Sequence, residues 1–215
     1  MAGVDSTNAD VRRVFDKAAD HYDRQMAFWE RWLFRGNRQW AASQAQGRVV
    51  EIAIGTGLNL PLYPAEATVI GIELSEPMLE LARRRAASAG LADRVELRQG
   101  DAQVLDLPDG CADTVLSTFT LCTIPDPAAA VREAFRILRP GGQILLAEHG
   151  PSSNVVLRAG MRALDPLSVR FGADHLTRDP RPLLEQAGFH IDTVQRRTVG
   201  VSFRVRATRP DPSAQ

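Results

Sequence analysis

From residue 48 onwards, short apolar runs alternate with segments whose apolar residues recur every three or four positions. The apolar runs predict strands over 48–54, 67–73, 94–98, 113–119 and 142–148. The intervening periodic segments predict helices over 58–63, 76–89 and 127–138. Strands that alternate with helices form βαβ units around a parallel sheet, so we predict an α/β fold.

The first 45 residues do not follow this alternation. Residues 11–45 have helical spacing and carry three tryptophans, Trp29, Trp32 and Trp40. We therefore predict an N-terminal helical cap over residues 1–45 on a body over residues 46–210, together a single domain. The apolar content of the cap fits two amphipathic helices packed on the body, or a lid over a lipophilic pocket.

The C-terminal third is less regular. Residues 150–173 have a helical spacing that Pro166 interrupts. Two further strands around Gly200 predict an antiparallel hairpin at the edge of the sheet. Arg204 and Arg206 alternate with apolar residues in its second strand, which predicts that they face solvent and discourage edge pairing.

Composition excludes several classes of protein. The 26 basic and 26 acidic residues cancel, which argues against a nucleic-acid binder that relies on a basic surface. Cys111 and Cys122 are too few for a disulfide framework, so a reduced, cytoplasmic setting is the default expectation. No apolar run approaches the ~20 residues needed to span a bilayer, which leaves open only a peripheral membrane contact.

The turn Gly55-Thr56-Gly57 follows the first predicted strand, and Glu73 ends the second. A glycine turn followed by an acid suits a nucleotide-like ligand, because the acid accepts hydrogen bonds from ribose hydroxyls. A dinucleotide would need a third glycine where Leu60 stands, and Glu51 would face its anionic pyrophosphate. A ligand with a cationic amino acid tail would instead be attracted by Glu51.

Five segments, in this order, resemble the class I S-adenosylmethionine-dependent methyltransferases. They are EIAIGTG (51–57), GIELSEPML (71–79), GDAQVLDLP (100–108), DTVLSTFTLCTI (113–124) and FRILRPGGQILLAEH (135–149). The resemblance implies a three-layer Rossmann-like fold whose seven-stranded, mostly parallel sheet ends in a C-terminal antiparallel hairpin. Ala53 departs from the pattern, since most members carry their first glycine there.

Finer resemblances concern the methyl acceptor. EIAIGTGLNLPLYP and HLTRDPRPLLEQAGF are similar to segments of bacterial phospholipid N-methyltransferases and alkyl-thiol methyltransferases. FDKAADHYDRQM resembles the opening of the quinone-biosynthesis methyltransferases. All three groups act on lipophilic or small apolar acceptors.

The resemblance implies S-adenosylmethionine as methyl donor and assigns residues to it. Gly55 and Gly57 admit the methionine part of the donor, Glu51 lies near its ammonium group, and Glu73 binds the ribose. The remaining positions assigned to the donor are Tyr22, Asn59, Leu74, Met78, Asp101, Ala102 and Thr118.

A base is needed only for an acceptor that arrives protonated. His149 is the candidate because the pKa of an unperturbed histidine lies near neutrality, although a structural histidine bonded to a loop carbonyl fits equally well. Ligands lie beyond the carboxyl ends of parallel strands, so we expect Trp29, Cys122, Thr123 and His175 on the acceptor side. Cys122 fits a small buried filler better than a nucleophile, and the two cysteines do not suggest a metal site.

The sequence thus predicts methyl transfer to a small, lipophilic acceptor: a thiol, an amine or phospholipid head group, or a quinone-like carbon. Two alternatives stay open at this point. One is a protein with the methyltransferase fold that only binds a partner. The other is a nicotinamide-linked dehydrogenase.

Overall fold

The computed structural model describes residues 7–214. Its strands are β1 Arg48–Ile52, β2 Thr68–Glu73, β3 Val95–Gln99, β4 Ala112–Thr118, β5 Leu138–His149, β6 His190–Arg197 and β7 Ser202–Thr208. Its helices are α1 Asn8–Trp32, α2 Asn37–Ala42, α3 Glu76–Ser88, α4 Pro127–Ile137, α5 Val155–Gly172 and α6 Arg181–Ala187. Short 3₁₀ turns cover Leu60–Leu62, Ala92–Arg94 and Pro212–Ala214.

The seven strands form one sheet in the order β3-β2-β1-β4-β5-β7-β6. Neighbouring strands among the first five pair in parallel, and β7 is antiparallel to both β5 and β6. Strand order reverses between β1 and β4, and the crevice at such a reversal is where ligands bind in open α/β sheets. The predicted Rossmann-like α/β fold with a C-terminal antiparallel hairpin is confirmed.

Each face of the sheet buries its own apolar core, because successive residues of a strand point to opposite faces. In β1, Val49 packs with the face that α2 and α3 cover, and Val50 packs with the face that α4 and α6 cover. Val49 and Val50 are both fully buried. The molecule is therefore built of three layers, as predicted.

Two local predictions are wrong. The helix expected over 58–63 is only the 3₁₀ turn Leu60–Leu62, because Pro64 holds Tyr63 in an extended conformation. The expected break at Pro166 does not occur, and α5 continues through it. A proline removes one helical N–H, but most of α5 is exposed, so water can satisfy the freed carbonyl.

The hairpin also differs from expectation. Its second strand, β7, lies inside the sheet between β5 and β6, so only β6 forms an edge. Arg204 is buried, and its Nε donates to Asn37 Oδ1 at 2.8 Å. The prediction that Arg204 faces solvent is therefore wrong, whereas Arg206 is partly exposed. Within residues 7–214, no helix is both long and apolar enough to cross a membrane.

Candidate active site

A cleft opens at the carboxyl ends of β1 to β4, where the strand order reverses. It is lined by residues from the ends of these strands and from α1 and α2. Thr123 from the predicted acceptor side lines this cleft. So do eight of the residues assigned to the donor: Tyr22, Gly55, Glu73, Leu74, Met78, Asp101, Ala102 and Thr118.

Glu73 lies in the wall of this cleft at the end of β2. Its Oε2 accepts the backbone N–H of Gly55 at 2.9 Å, and its Oε1 accepts that of Ser75 at 2.9 Å. Burial raises the pKa of this carboxyl, while the N–H groups favour its charged form. Each oxygen keeps a lone pair, so the fixed carboxylate can accept further bonds from ligand hydroxyls.

The two glycines of the turn have different roles. Both have positive φ, +58° at Gly55 and +77° at Gly57. A Cβ on Gly55 would have no neighbour within 4 Å, so this residue leaves open space beside the cleft. A Cβ on Gly57 would lie 2.8 Å from Leu60 Cδ1, so Gly57 permits close packing and does not line the cleft.

Ala53 lies in the same turn with a φ of +50°, in the left-handed region that most side chains avoid. The left-handed conformation costs a non-glycine residue roughly 1–2 kcal/mol. Glycine would remove this strain, but it would also increase the entropy of the unfolded chain, which offsets part of the gain in stability. We expect Ala53→Gly to raise the free energy of unfolding by about 0.5 to 1 kcal/mol, measured by urea denaturation. Ala87→Gly, at an exposed position of α3, should instead lower the free energy of unfolding by about 1 kcal/mol. An Ala53→Gly variant that is less stable than the wild type would contradict the backbone strain at Ala53.

Glu51 lies behind the cleft wall and does not line it. Its oxygens accept from Asn59 Nδ2 and from the Tyr63 hydroxyl, both at 2.6 Å. Burial raises the pKa of Glu51 to about 7. Asn59 Nδ2 also lies 3.0 Å from Thr118 Oγ1 in the wall, so Glu51 acts on the cleft through Asn59.

Arg38 of α2 is a cleft residue that the sequence reasoning missed. This buried side chain donates to Thr118 Oγ1 at 2.8 Å and forms an ion pair with Glu30. Its guanidinium also lies over the ring of Phe119, 5.2 Å from the ring centre. Nothing in the local sequence distinguishes Arg38 from the other arginines of the cap.

Phe119 itself has a φ of +56°, which is unusual for a bulky residue. It follows the last residue of β4 and packs on Phe34, with ring centres 4.7 Å apart. Strain of this kind persists where the surrounding contacts hold it, often beside a ligand. Phe34 and Phe119 were not predicted as site residues.

Helix α1 lies across the mouth of the cleft and is fixed there by polar contacts along its length. Asn8 Nδ2 donates to Asp101 Oδ2, Ser75 Oγ to Asp16 Oδ1, and Thr56 Oγ1 to Asp23 Oδ1, each at 2.6 Å. Its apolar residues that face the cleft are Val11, Phe15 and Tyr22. Burial raises the pKa of Tyr22 to about 12, so its hydroxyl stays protonated near neutrality and can donate a hydrogen bond.

Buried His149 pairs with the partly buried Asp174 at the end of β5. His149 Nε2 lies 3.0 Å from Asp174 Oδ1, and the histidine ring stacks on Phe34 with ring centres 6.0 Å apart. Burial opposes the charged histidine, but the contact with Asp174 outweighs it, and the pKa of His149 is raised. Among residues 7–214, no group is aligned as a hydrogen-bond donor to Asp174 Oδ1. Asp174 was not predicted.

Cys122 brings a third potential ligand atom to this pair. Its sulfur, the His149 nitrogen and the Asp174 oxygen lie within 4.8 Å of one another. Burial raises the pKa of Cys122 well above its usual value, and a metal would require the thiolate. Arg178, whose Nη1 donates to Leu121 O at 2.6 Å, adds positive charge nearby. Without a metal ion, burial keeps Cys122 a protonated thiol beside the His–Asp pair.

The remaining predicted residues lie outside the cleft wall. Trp29 is 47% exposed on α1. His175 is half-buried, with Nδ1 3.6 Å from Asp165 Oδ2, and its backbone N–H donates to Cys122 O at 3.0 Å. His175 therefore lies against Asp165 and is bonded to the Cys122 loop through its backbone, whereas Trp29 faces outward.

Comparison with known proteins gives consistent matches. Residues 50–146 match a family model described as a methyltransferase domain. The phosphatidylethanolamine N-methyltransferase of Cereibacter sphaeroides is 38% identical over 141 residues, which are 63% of this chain and 70% of that protein. The demethylmenaquinone methyltransferase of Symbiobacterium thermophilum is 30% identical over 162 residues, 70% of this chain but only 63% of that protein, less than two thirds of its length.

A solved structure from Thermotoga maritima has the same fold. It is described as an S-adenosylmethionine-dependent methyltransferase, possibly a histamine N-methyltransferase. It is 25% identical, has a TM-score of 0.71, and the match covers 92% of this chain and 99% of that chain. The family match over residues 50–146 spans the carboxyl ends of β1 to β4, where the cleft lies.

Proposed function

This chain belongs to the S-adenosylmethionine-dependent methyltransferases, and on that premise we propose that its cleft binds S-adenosylmethionine and that it methylates a lipophilic amine. Small-molecule methyl transfer is the activity of the family; the residues that hold the donor and the nature of the acceptor are our proposal. Residues 46–210 would form the donor-binding domain, with residues 1–45 as its cap. Residues 1–6 of that cap lie outside the described part of the chain.

One observation carries the donor proposal. Four strands that are distant in sequence deliver Gly55, Glu73, Asp101 and Thr118 to a single cleft. An open space beside Gly55, a fixed carboxylate at Glu73 and apolar surfaces at Leu74 and Met78 suit a nucleoside with an amino acid tail. The residues present therefore fit the donor.

Each part of the donor has a matching group in the cleft. Glu73 would accept from the ribose hydroxyls, and Asp101 with Ala102 would meet the edge of the adenine. Arg38 and Thr118 would hold the charged tail, whose carboxylate matches a buried guanidinium. Tyr22 would cover the amino acid tail and donate a hydrogen bond to it. When bound, S-adenosylmethionine supplies an electrophilic methyl group on a sulfonium.

The acceptor side is proposed to lie between His149, Asp174 and the Phe34–Phe119 pair. Aromatic faces attract ammonium groups, and the partly exposed Asp174 adds a carboxylate beside them. Because Nε2 of His149 faces Asp174, its Nδ1 is the nitrogen that would accept a proton from the acceptor. An ammonium must lose a proton before its nitrogen can attack a methyl group, so this pair suits an amine.

The similarity to a phosphatidylethanolamine N-methyltransferase supports a phospholipid amine as acceptor. A quinone-like ring carbon is the second candidate, because the same two phenylalanine rings would stack on a flat ring and the chain is also similar to a demethylmenaquinone methyltransferase. A thiol is the third. Every candidate carries a proton that His149 would remove.

The donor proposal is tested by isothermal titration. We expect both S-adenosylmethionine and S-adenosylhomocysteine to bind, and decarboxylated S-adenosylmethionine to bind more weakly because it lacks the carboxylate that Arg38 would hold. No heat with either intact ligand would contradict the donor proposal. The acceptor is tested by turnover on phosphatidylethanolamine, a demethylmenaquinone analogue and an alkyl thiol. Turnover on the quinone or the thiol alone would contradict the amine.

A further inference from the structure

Helix α5 is unusual because most of it packs against nothing. Of its 18 residues, only Val169 is buried. An isolated helix of this length is marginally stable in water, so a helix exposed in this way is expected to have an outside partner. Its exposed large apolar side chains are Val155, Val156, Leu157, Leu164, Leu167 and Phe171.

The C-terminal half of α1 is exposed in the same manner. Phe28 is 57% exposed, Trp29 47% and Trp32 66%. Such large apolar residues, set close together, mark an interaction surface when they are contiguous with others. Tryptophans in particular are enriched where a protein meets the interface of a membrane.

Backbone and side-chain contacts join these two helices through the β6–β7 turn. Thr198 Oγ1 donates to Leu33 O at 2.8 Å, directly after α1. Val199 O accepts from Ser152 Oγ at 2.6 Å and from the Ser153 backbone N–H at 3.1 Å, directly before α5. Val199 is itself 60% exposed. The end of α1, this turn and α5 therefore form one continuous surface, which we call the α1–α5 surface.

Charge decides which partner suits the α1–α5 surface. The chain as a whole is neutral, but residues 24–35, 152–172 and 195–199 contain only two acids, Glu30 and Asp165. Glu30 pairs with buried Arg38, and Asp165 accepts the Thr177 N–H at 3.2 Å. Against them stand the arginines Arg24, Arg31, Arg35, Arg158, Arg162, Arg170 and Arg197, and also Arg196, which lies 4.0 Å from Asp179.

Exposed apolar side chains interspersed with arginines are typical of a surface that lies in the head-group region of an anionic bilayer. Because the rest of a neutral chain must carry the balancing negative charge, the field of the membrane would also orient the molecule. We propose that the α1–α5 surface docks on an anionic lipid bilayer as a peripheral contact.

This surface also adjoins the proposed acceptor side. Phe34 follows α1 directly and stacks on both Phe119 and His149. Docking would therefore place the acceptor side against the source of a lipophilic substrate. Only this last step rests on the proposed function; binding to the bilayer stands on the surface alone.

The experiment measures binding of the whole chain to phosphatidylcholine vesicles with and without phosphatidylglycerol, in the absence of methyl donor. Co-sedimentation gives the fraction bound. Tryptophan fluorescence gives a second readout, because Trp29 and Trp32 lie on the surface whereas Trp40 is partly buried beneath Arg204. We expect binding only to the anionic vesicles, with a shift of the emission to shorter wavelength and a loss of binding at high salt.

Removing charge should weaken binding in a predictable way. Each arginine near an anionic surface contributes roughly a fivefold factor, so the triple variant Arg31→Gln, Arg162→Gln and Arg170→Gln should bind about 100-fold more weakly. Arg84→Gln removes one such charge from an exposed position of α3, outside the α1–α5 surface, and should bind as the wild type does. Leu164→Ser with Phe171→Ser tests the apolar part, with Val104→Ser, 75% exposed elsewhere, as its control.

Three outcomes would overturn the inference: no binding to anionic vesicles, equal binding by the triple variant, or a dimer in sedimentation velocity that Leu164→Ser with Phe171→Ser dissociates. The last result would assign the surface to a second copy of the chain. Failure of docking with intact methyl transfer contradicts only this inference, whereas vesicle binding without donor binding contradicts only the proposed function.

Discussion

Replacing His149 by glutamine is expected to lower the rate of methyl transfer about 10²- to 10⁴-fold, the usual contribution of a general base. Donor affinity should not change, because His149 does not line the donor cleft. Glutamine keeps the size and polarity of the residue but cannot accept a proton near neutrality. His190→Gln, exposed on β6, is the matched control and should leave the rate unchanged.

The pH profile separates a base from a structural histidine. A base works in its neutral form, and Asp174 raises the pKa of His149 above its ordinary value of 6.5. The rate of methyl transfer should therefore rise with pH, and the midpoint of this rise should lie above pH 6.5. In Asp174→Asn the contact that raises the pKa of His149 is lost, whereas burial still lowers that pKa. The midpoint of the rise in rate should therefore move to lower pH, and the rate at high pH should fall.

The same pair affects stability with a defined sign. Because the folded-state pKa of His149 is raised, the charged pair stabilises the fold below the unfolded value of 6.5. This stabilisation is lost as the pH rises through the raised pKa. An unchanged rate in His149→Gln at every pH, with an unshifted midpoint in Asp174→Asn, would assign both residues a structural role.

Replacing Glu73 by alanine is expected to weaken donor binding at least about 100-fold. Hydrogen bonds to a charged group contribute roughly 1.5–3 kcal/mol each, and the two ribose hydroxyls of the donor would lose this acceptor. The substitution also frees the N–H groups of Gly55 and Ser75, which adds to the loss. Titration with S-adenosylhomocysteine measures the affinity.

The controls for Glu73 separate binding from folding. Glu80→Ala, half-exposed on α3, removes an equal charge and should leave the affinity unchanged. Glu73→Gln keeps one carbonyl oxygen and should bind with an intermediate affinity. Burial raises the pKa of Glu73 above 4.5, so donor affinity should fall on acidification at a pH above that value. Equal affinity for the donor in Glu73→Ala would contradict the ribose assignment.

Much of the fold could be predicted because the relevant signals are local. Alternating apolar runs and helical spacing locate β1 to β5, α3 and α4 to within a few residues. The turn at Gly55 and the acid at Glu73 stand at the ends of predicted strands, and parallel strands bring their carboxyl ends to one edge. Residues at the carboxyl ends of these strands therefore reach the cleft wall, however the side chains of the layers pack.

Local signals failed where a distant neighbour decides the outcome. Arg204 alternates with apolar residues as a solvent-facing residue would, yet β7 inserts between two strands and Asn37 of α2 covers it. The pattern within one strand does not specify which strand pairs with it. The exposure of α5 is a similar case, since the same helical spacing would suit a buried helix.

The sequence by itself determined the α/β fold and the place of the cleft, because periodicity and turn residues act over a few positions. The chemistry expected there was implied by the family resemblance. Only the tertiary structure decided which side chains meet in the site. Arg38 reaches Thr118 across 80 positions, Asp174 lies against His149, and Glu51 acts through Asn59 from behind the wall. Such contacts depend on how layers pack, and packing is fixed by the whole chain at once.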